Sequence, residues 1–211
     1  MNSPDAPDMF PKLSADGKLL IFTSVENEIP NVYLYDLVTR SFVALDELTA
    51  DQFVLYPSLS PDGTKLAYMV GVGYQSDIQI FNISNRINDS LGYWNTSANE
   101  MLPVIGGPDG KYLAFTGDGR NDGKGGYDAY LYDLENYKFI DLPNNINTMY
   151  NEELATISSD GKFMAMISNR KKPTLGHAGR DIYLMDMASK EFLHLPGLNS
   201  SFEDSAPSLS N

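Results

Sequence analysis

Acidic side chains recur a few residues ahead of a repeated Asp-Gly signal. The members of this acidic series are Asp8, Glu100, Glu152 and Asp204. Glu100 lies one position further back than the others, and the second repeat has Val54 at this place with Asp51 farther away. Several carboxylates at one rim would focus negative potential and could hold a hard cation through oxygen ligands. The alternative is that acidic residues fill polar turns because the whole chain is acidic.

A Gly-rich stretch of the third repeat resembles a calcium loop in part. Asp118 and Asp122 occupy the first and fifth places of an EF-hand pattern, and Asp128 ends the stretch. However, Arg120 stands at a ligand position, the twelfth place is Ala129 instead of Glu, and the flanks are predicted strands. A long hairpin loop explains the same residues. Ca²⁺ is therefore a candidate cofactor, no other is indicated, and a plain loop is the alternative.

Two further stretches could contact a partner. Tyr93 and Trp94, the only tryptophan, lie in a polar segment, and exposed Trp/Tyr pairs anchor partners or sugar rings. The alternative is that Trp94 packs between two repeats. The second stretch is basic and could dock an anionic partner or remain a solvated loop. It contains Arg170, Lys171, Lys172, His177 and Arg180.

No catalytic set emerges from the sequence. No serine lies in a Gly-x-Ser-x-Gly elbow, and the only histidines, His177 and His194, lack partners at ligand spacing. His194 is expected at the surface. A carboxylate pair for glycoside hydrolysis stays open, because a ring of repeats could draw its acids from different repeats.

The composition excludes several classes of protein. A net charge of −13 over 211 residues argues against nucleic acid, whose binding relies on Lys and Arg neutralising phosphates. No apolar run is long enough to span a bilayer. Cysteine is absent, which removes disulfides, thiolate metal sites and Cys nucleophiles. The polar start of the chain is not a secretory signal.

A repeat organises the whole chain. Asp-Gly recurs at Asp16, Asp62, Asp109 and Asp160, in steps of 46, 47 and 51 residues, and a partial copy follows. The units span about residues 7–52, 53–99, 100–150, 151–202 and 203–211. Each holds apolar, β-branched and aromatic runs typical of four short strands. Because one such sheet cannot bury both faces alone, we predict an all-β fold in a single domain over residues 1–211. It is a β-propeller of four complete four-stranded antiparallel blades plus the first strand of a fifth.

Residues 57–69, Pro-Ser-Leu-Ser-Pro-Asp-Gly followed by an apolar strand, resemble the WD-like repeats of TolB-type β-propellers. Ser-Asn-Arg at 168–170 and Gly-Arg-Asp-Ile-Tyr at 179–183 are similar to the form seen in envelope proteins with these repeats. The resemblance covers about residues 7–211. It implies the propeller fold and a periplasmic or extracellular setting, with a cytoplasmic one as the alternative. Such repeats occur in scaffolds, lyases and peptidase gating domains alike, so the resemblance leaves the function open.

These observations predict a non-enzymatic TolB-like propeller that binds a protein or peptide at its channel mouth. The alternative is a carbohydrate-active glycosidase or lyase that uses carboxylates from several blades. The partial fifth copy is surplus to four complete blades, and five whole blades would need more than about 230 residues, so we expect this chain to be part of a larger propeller. An unpaired final strand would then expose backbone groups and favour self-association. The alternatives are that two chains complete each other, or that residues 1–9 and 202–211 together form a reduced final blade.

Overall fold

Short apolar runs separated by Asp-Gly and Asn-rich turns form strands that pair with their neighbours in sequence. The computed structural model describes residues 7–26, 28–48, 53–72, 74–89, 92–170 and 179–209. Their strands form four four-stranded antiparallel sheets, each a meander. Within the described residues the helical content is a single 3-10 turn, Pro108–Gly110. The predicted all-β class and the four-stranded blades are confirmed.

Each sheet is one blade, and its strands run outward from the innermost to the edge. Blade 1 has β1 Asp8–Leu13, β2 Leu19–Glu26, β3 Ile29–Asp36 and β4 Ser41–Val43. Blade 2 has β5 Phe53–Leu59, β6 Lys65–Val72, β7 Gln75–Asn82 and β8 Ile87–Asp89. Blade 3 has β9 Asn99–Gly106, β10 Tyr112–Asp118, β11 Tyr127–Asp133 and β12 Lys138–Phe139. Blade 4 has β13 Glu152–Ile157, β14 Phe163–Ser168, β15 Asp181–Asp186 and β16 Glu191–Phe192.

The Asp-Gly signal closes the turn between the first and second strands of a blade. In blade 1, Ser14 Oγ donates to Asp16 Oδ1 at 2.7 Å, and Asp16 Oδ1 accepts the Lys18 N–H at 3.0 Å. Gly17 follows with a φ of 69°, a left-handed value that glycine adopts without steric cost. Blades 2 and 4 repeat these contacts. The signal is therefore a folding device, as its residue types predict.

Neighbouring blades pack face to face and bury three apolar clusters. The cluster between blades 1 and 2 includes Ile21, Leu66 and Phe81, and the cluster between blades 3 and 4 includes Leu131 and Met164. The cluster between blades 2 and 3 is rich in aromatic rings and includes Ile78, Trp94, Leu113, Phe115 and Tyr132. Burial of both faces against neighbours is the driving force that a single four-stranded sheet lacks.

The partial fifth copy continues the innermost layer. Asp204 donates its N–H to the Arg180 carbonyl at 2.8 Å, and Ser208 and Leu209 line a central cavity together with the first strands of all four blades. Residues 203–209 thus occupy the place of a fifth innermost segment. In the part of the chain that the structure describes, no helix is long and apolar enough to cross a membrane.

Candidate functional site at the hub

Every innermost strand is interrupted by a β-bulge at the same place. The pairing register shifts between Met9 and Lys12 in β1, between Leu55 and Ser58 in β5, and within β9 and β13. The bulges of β1, β5 and β9 each carry left-handed backbone at a non-glycine residue, at a cost of about 1–3 kcal/mol each. The residues with positive φ are Phe10 (55°), Tyr56 (52°), Leu102 (52°) and, in the fifth segment, Ala206 (55°). Bulges re-aim side chains next to functional sites.

The bulged side chains surround one mouth of the propeller. Phe10, Tyr56, Leu102 and Ala206 line a cavity of about 350 Å³, which we call the mouth. The rings of Phe10 and Tyr56 meet with centroids 4.4 Å apart. A second cavity of about 800 Å³, lined by serine and threonine hydroxyls and aliphatic side chains, lies beside it. Both cavities share Lys12, Val104 and Ser208, so together they form one hub cavity.

The net charge of the hub lining is opposite in sign to the net charge of the whole chain. Among the described residues that line the two cavities, only Lys12, Glu153 and Arg180 are charged. Arg180 Nη2 lies 2.7 Å from Glu153 Oε1, so these two charges compensate each other and Lys12 leaves one positive charge. The hub thus offers an apolar mouth with a cationic lining in a chain of net charge −13.

The acidic series occupies one register position in the structure. Asp8 pairs with Ser24, Glu100 with Gly117 and Glu152 with Ser168. Each acid lies five residues before the partner of the fourth residue after the Asp of the Asp-Gly turn; these partners are Leu13, Ile105 and Ile157. Glu100 therefore belongs in line with the others. Its apparent offset arises because blade 3 holds one extra residue between Ile105 and the Asp-Gly turn.

Glu100 and Glu152 are fully buried and are used inside their own blades. Glu152 accepts the Thr148 N–H and hydroxyl at 2.7 Å each, the Ser168 hydroxyl at 2.8 Å, and lies 3.3 Å from Arg170 Nη2. Glu100 accepts the equivalent pair from Thr96 and a hydrogen bond from Arg120 at 2.9 Å. These carboxylates fasten the linkers between blades.

Asp204 and Asp8 complete the series in more open surroundings. Asp204 is half-buried and accepts the Ser200 N–H at 2.7 Å, with the Ser200 hydroxyl at 3.2 Å. Asp8 is exposed. Among the described residues no three His, Asp or Glu side chains are grouped closely enough to hold a metal ion. Cation binding by this series stays a prediction.

Two arginines, Arg120 of the Gly-rich loop and Arg170 of the basic stretch, complete these junctions, a role that the sequence did not predict. The guanidinium carbon of Arg120 lies 4.3 Å from the Tyr130 ring centroid and that of Arg170 lies 4.9 Å from the Tyr183 ring centroid. Arg120 also donates to the Trp94 carbonyl at 2.8 Å. Arg170 donates to the Ile146 carbonyl at the equivalent point of the next linker. Both arginines therefore form their contacts at the junctions between blades.

A motif at a spacing of 52 residues would have revealed these junctions. It reads Asn-(Thr/Ser)-x-x-x-(Glu/Asp) and begins at Asn95, Asn147 and Asn199. Each asparagine pairs its amide with the backbone of the third strand, as Asn147 does with the N–H and carbonyl of Ala129 at 2.8 and 2.9 Å. The equivalent pairs for Asn95 and Asn199 are made with Ile78 and Ile182.

The Gly-rich loop of blade 3 is closed by its own carboxylates. Asp122 accepts the Tyr130 hydroxyl at 3.0 Å and lies 3.2 Å from Arg120 Nε. Burial opposes ionisation of Asp122, but the hydrogen bonds and charge of Arg120 lower its pKa below the usual range. Asp118 lies at the start of the loop and is half-buried. Calcium binding by Asp118, Asp122 and Asp128 stays a prediction.

Asp128 is the most unusual carboxylate of this loop. It is 2% exposed, and its Oδ2 accepts the Lys124 N–H at 2.8 Å and the Gly125 N–H at 3.4 Å. Its Oδ1 is buried without a hydrogen-bond partner among the described residues. Desolvation raises the pKa of Asp128, with smaller contributions from the charges of Glu152 and Asp122.

Trp94 and Tyr93 have opposite surroundings. Trp94 is 1% exposed, donates Nε1–H to the Ile78 carbonyl at 2.9 Å and packs edge-on against Tyr132. It therefore packs between blades 2 and 3, as the alternative interpretation states, and it takes the place that Ile146 holds in the next linker. Tyr93 is 60% exposed and lines a cleft on the outer side of blade 3.

The two described arginines of the basic stretch make contacts in different parts of the propeller. Arg170 fastens a blade junction, and Arg180 pairs with Glu153 at the hub. Lys171, Lys172 and His177 lie outside the described residues. His194 is exposed, as expected for a residue after the outer strand.

These four-stranded blades around a hub define a β-propeller, and its repeat assigns the family. The TolB beta propeller domain family matches residues 1–211, and this chain belongs to that family. No curated protein matches the chain significantly.

Solved structures share the fold at low sequence identity. TolB from Acinetobacter baumannii superposes with a TM-score of 0.65 at 23% identity, over 89% of this chain and 43% of that one. A putative TolB from Agrobacterium tumefaciens gives 0.61 at 17% identity, over 86% and 62%. An oligogalacturonate lyase in complex with manganese gives 0.60 at 15% identity, over 90% and 53%. The chain therefore spans less than two thirds of these proteins, and the likeness shows the fold alone.

Proposed function

We propose that this chain is a non-enzymatic propeller scaffold of the bacterial cell envelope that binds a peptide segment of a partner protein at its hub. The observation that carries the proposal is the ring of bulged residues at the mouth. Phe10, Tyr56 and Leu102 hold strained backbone that presents apolar side chains to a cavity, and the cavity has ligand-sized volume. Aromatic anchors in such pockets supply most of the energy of peptide recognition.

The charges of the mouth indicate the chemistry of the peptide. Lys12 lines both cavities, and Arg180 is 42% exposed beside its partner Glu153. A peptide that places an apolar side chain against Tyr56 and a carboxylate near Lys12 would complement both features. Opposite charge at the mouth would also raise the association rate and make it salt-dependent.

The rival enzymatic interpretation lacks support from the hub chemistry. Glycoside hydrolysis needs two carboxylates that flank one bond. Among the described residues that line the hub, Glu153 is the only acid, and Arg180 neutralises it at 2.7 Å. We therefore develop the binding function and not a catalytic one.

A displayed peptide library panned on the chain tests this proposal. Selected peptides should share an apolar residue near an acidic one, and their affinity should fall by at least about tenfold with Tyr56→Ser or Lys12→Ala. Tyr74→Ser is the matched control, because Tyr74 is fully exposed and outside the mouth. Peptides that bind equally well to all three variants would contradict the proposal.

A further inference from the structure

A second cleft lies on the outer side of the molecule, between the turns of blades 2 and 3. Two open cavities of about 440 and 560 Å³ meet at Tyr137, and both volumes are typical of ligand-sized clefts. Blade 2 contributes amide side chains, and the following linker and blade 3 contribute aromatic rings. We call this cleft the rim groove, and its defining residues are Asn82, Asn85, Asn88, Tyr93, Tyr132 and Tyr137.

The amides of blade 2 replace residues that the other blades share. Asn82 holds the place of Asp36, Asp133 and Asp186, which end the third strands of the other blades. Asn88 pairs with Phe81 at the position where the other outer strands have phenylalanine. A neutral amide thus replaces a carboxylate, and a second amide replaces a ring. Both exchanges place neutral amides where the other blades are acidic or apolar. Charged side chains also line the groove: Lys65 and Asp89 on the blade 2 side and Lys138 on the blade 3 side.

Blade 3 departs from the repeat in the same groove. Tyr137 has a φ of 51° at the turn position that Arg40, Arg86 and Lys190 hold in the other blades. Tyr137 and Tyr93 are 57% and 60% exposed, so two phenol rings stand at the groove surface. Tyr93 in turn holds the linker place of Asn145. The repeat-breaking residues of two blades therefore converge on one surface.

The polar atoms of the groove are oriented for a ligand. Asn82 Oδ1 accepts the Ser84 and Asn85 N–H groups at 3.0 and 3.2 Å. The Tyr68 hydroxyl lies 2.9 Å from Asn88 Oδ1 and 3.0 Å from Gln79 Oε1 and has one proton to share between them. The two N–H groups fix the Asn82 amide, and its Nδ2 donates to no other described residue. The Tyr68 hydroxyl holds Asn88 at the groove wall. In addition, the hydroxyl of Tyr132 is buried in the groove wall without a partner among the described residues.

From this arrangement we propose that the rim groove is a binding site for an oligosaccharide. Sugar rings stack their apolar faces on aromatic rings, which Tyr93 and Tyr137 present. Sugar hydroxyls accept from amide N–H groups and donate to phenol oxygens, which Asn82, Asn88 and Tyr132 supply. The site is separate from the hub cavity and does not depend on the peptide-binding proposal.

Calorimetric titration of the chain with maltotetraose, cellotetraose and chitotetraose, each up to about 10 mM, tests the site. At least one tetrasaccharide should bind, and Tyr137→Arg or Asn88→Phe should weaken it by about tenfold. Both substitutions restore the residue type of other blades, so the fold should tolerate them. Phe42→Asn, the reverse exchange in blade 1, is the matched control and should leave the affinity within about twofold.

The Tyr132→Phe variant distinguishes an effect on sugar binding from an effect on the stability of the fold. Because the Tyr132 hydroxyl has no partner in the described fold, its removal should leave the melting temperature unchanged or raise it, while the affinity falls about fivefold. The proposal is overturned if no tetrasaccharide binds, or if binding survives Tyr137→Arg and Asn88→Phe unchanged. Binding of a proline-rich decapeptide at this groove without sugar binding would likewise overturn it in favour of peptide recognition.

Discussion

The junction carboxylates make a quantitative prediction about stability. Glu152 is fully buried and accepts hydrogen bonds from Thr148 and Ser168 beside the guanidinium of Arg170. In Glu152→Gln the amide nitrogen must face one of these donors, and Arg170 loses its counter-charge at a side-chain exposure of 15%. Breaking a buried pair in this way costs about 3–5 kcal/mol. For a chain of this size the melting temperature should fall by about 6–20 °C.

Asp204→Asn is the matched control within the same motif. Asp204 accepts the equivalent hydrogen bonds from Ser200 but is half-buried, and its carboxylate accepts no hydrogen bond from an arginine of the described residues. Its substitution removes the same charge and should cost about 0.5–1.5 kcal/mol. Urea unfolding of both variants, with the midpoint and slope compared, measures the difference. Equal costs for the two substitutions would refute the reasoning that burial and the arginine set the magnitude.

A double substitution tests the pair itself. Arg170→Met combined with Glu152→Leu replaces two buried charges with apolar groups, and such replacements are often neutral. The double variant should be more stable than Glu152→Leu alone, with a coupling of about 1–3 kcal/mol between the two positions. Additive single effects would show that the 3.3 Å contact carries no energy.

Two further predictions concern the Gly-rich loop and the turns. Burial raises the pKa of Asp128 above its ordinary 3.8, so the charge of Asp128 destabilises the fold increasingly as the pH rises through the raised pKa. The Asp128→Asn variant should therefore gain stability relative to the wild type between about pH 3 and pH 7, as measured by urea unfolding. A stability difference that stays constant with pH would contradict this. Gly17→Ala should lower the free energy of unfolding by about 1 kcal/mol, because Gly17 has a φ of 69° but open space around it. Gly107→Ala should cost about 1–3 kcal/mol more in thermal unfolding, because its Cβ would lie 2.5 Å from the Tyr112 ring. Similar losses for the two variants would show that Tyr112 moves aside freely.

Local physics made the fold predictable from the residues. Ser-x-Asp-Gly turns depend on hydrogen bonds within five residues, and an apolar run of four to seven residues between such turns has few alternatives to a strand. A repeat of these signals leaves packing on neighbouring copies as the way to bury both faces. The acidic series was also visible, because an acidic residue recurs a few positions ahead of the repeat signal in every unit but the second.

The roles of these residues depended on contacts between distant parts of the chain. Arg120 reaches Glu100 across 20 residues, and Trp94 bonds Ile78 across the blade junction, so neither burial nor partner could be predicted from spacing. The one extra residue before the blade 3 turn also displaced Glu100 in the sequence comparison of the repeats, and the strand register corrects this.

The two candidate sites exist only in the assembled propeller. The mouth combines bulged residues of several innermost strands, and the bulge is a register shift between two strands that no single segment encodes visibly. The rim groove combines Asn88 of one blade with Tyr137 of the next, 49 positions away. Consecutive residues thus determine the turns and strands through short-range interactions. The surfaces that face a partner arise where packing brings different repeats side by side.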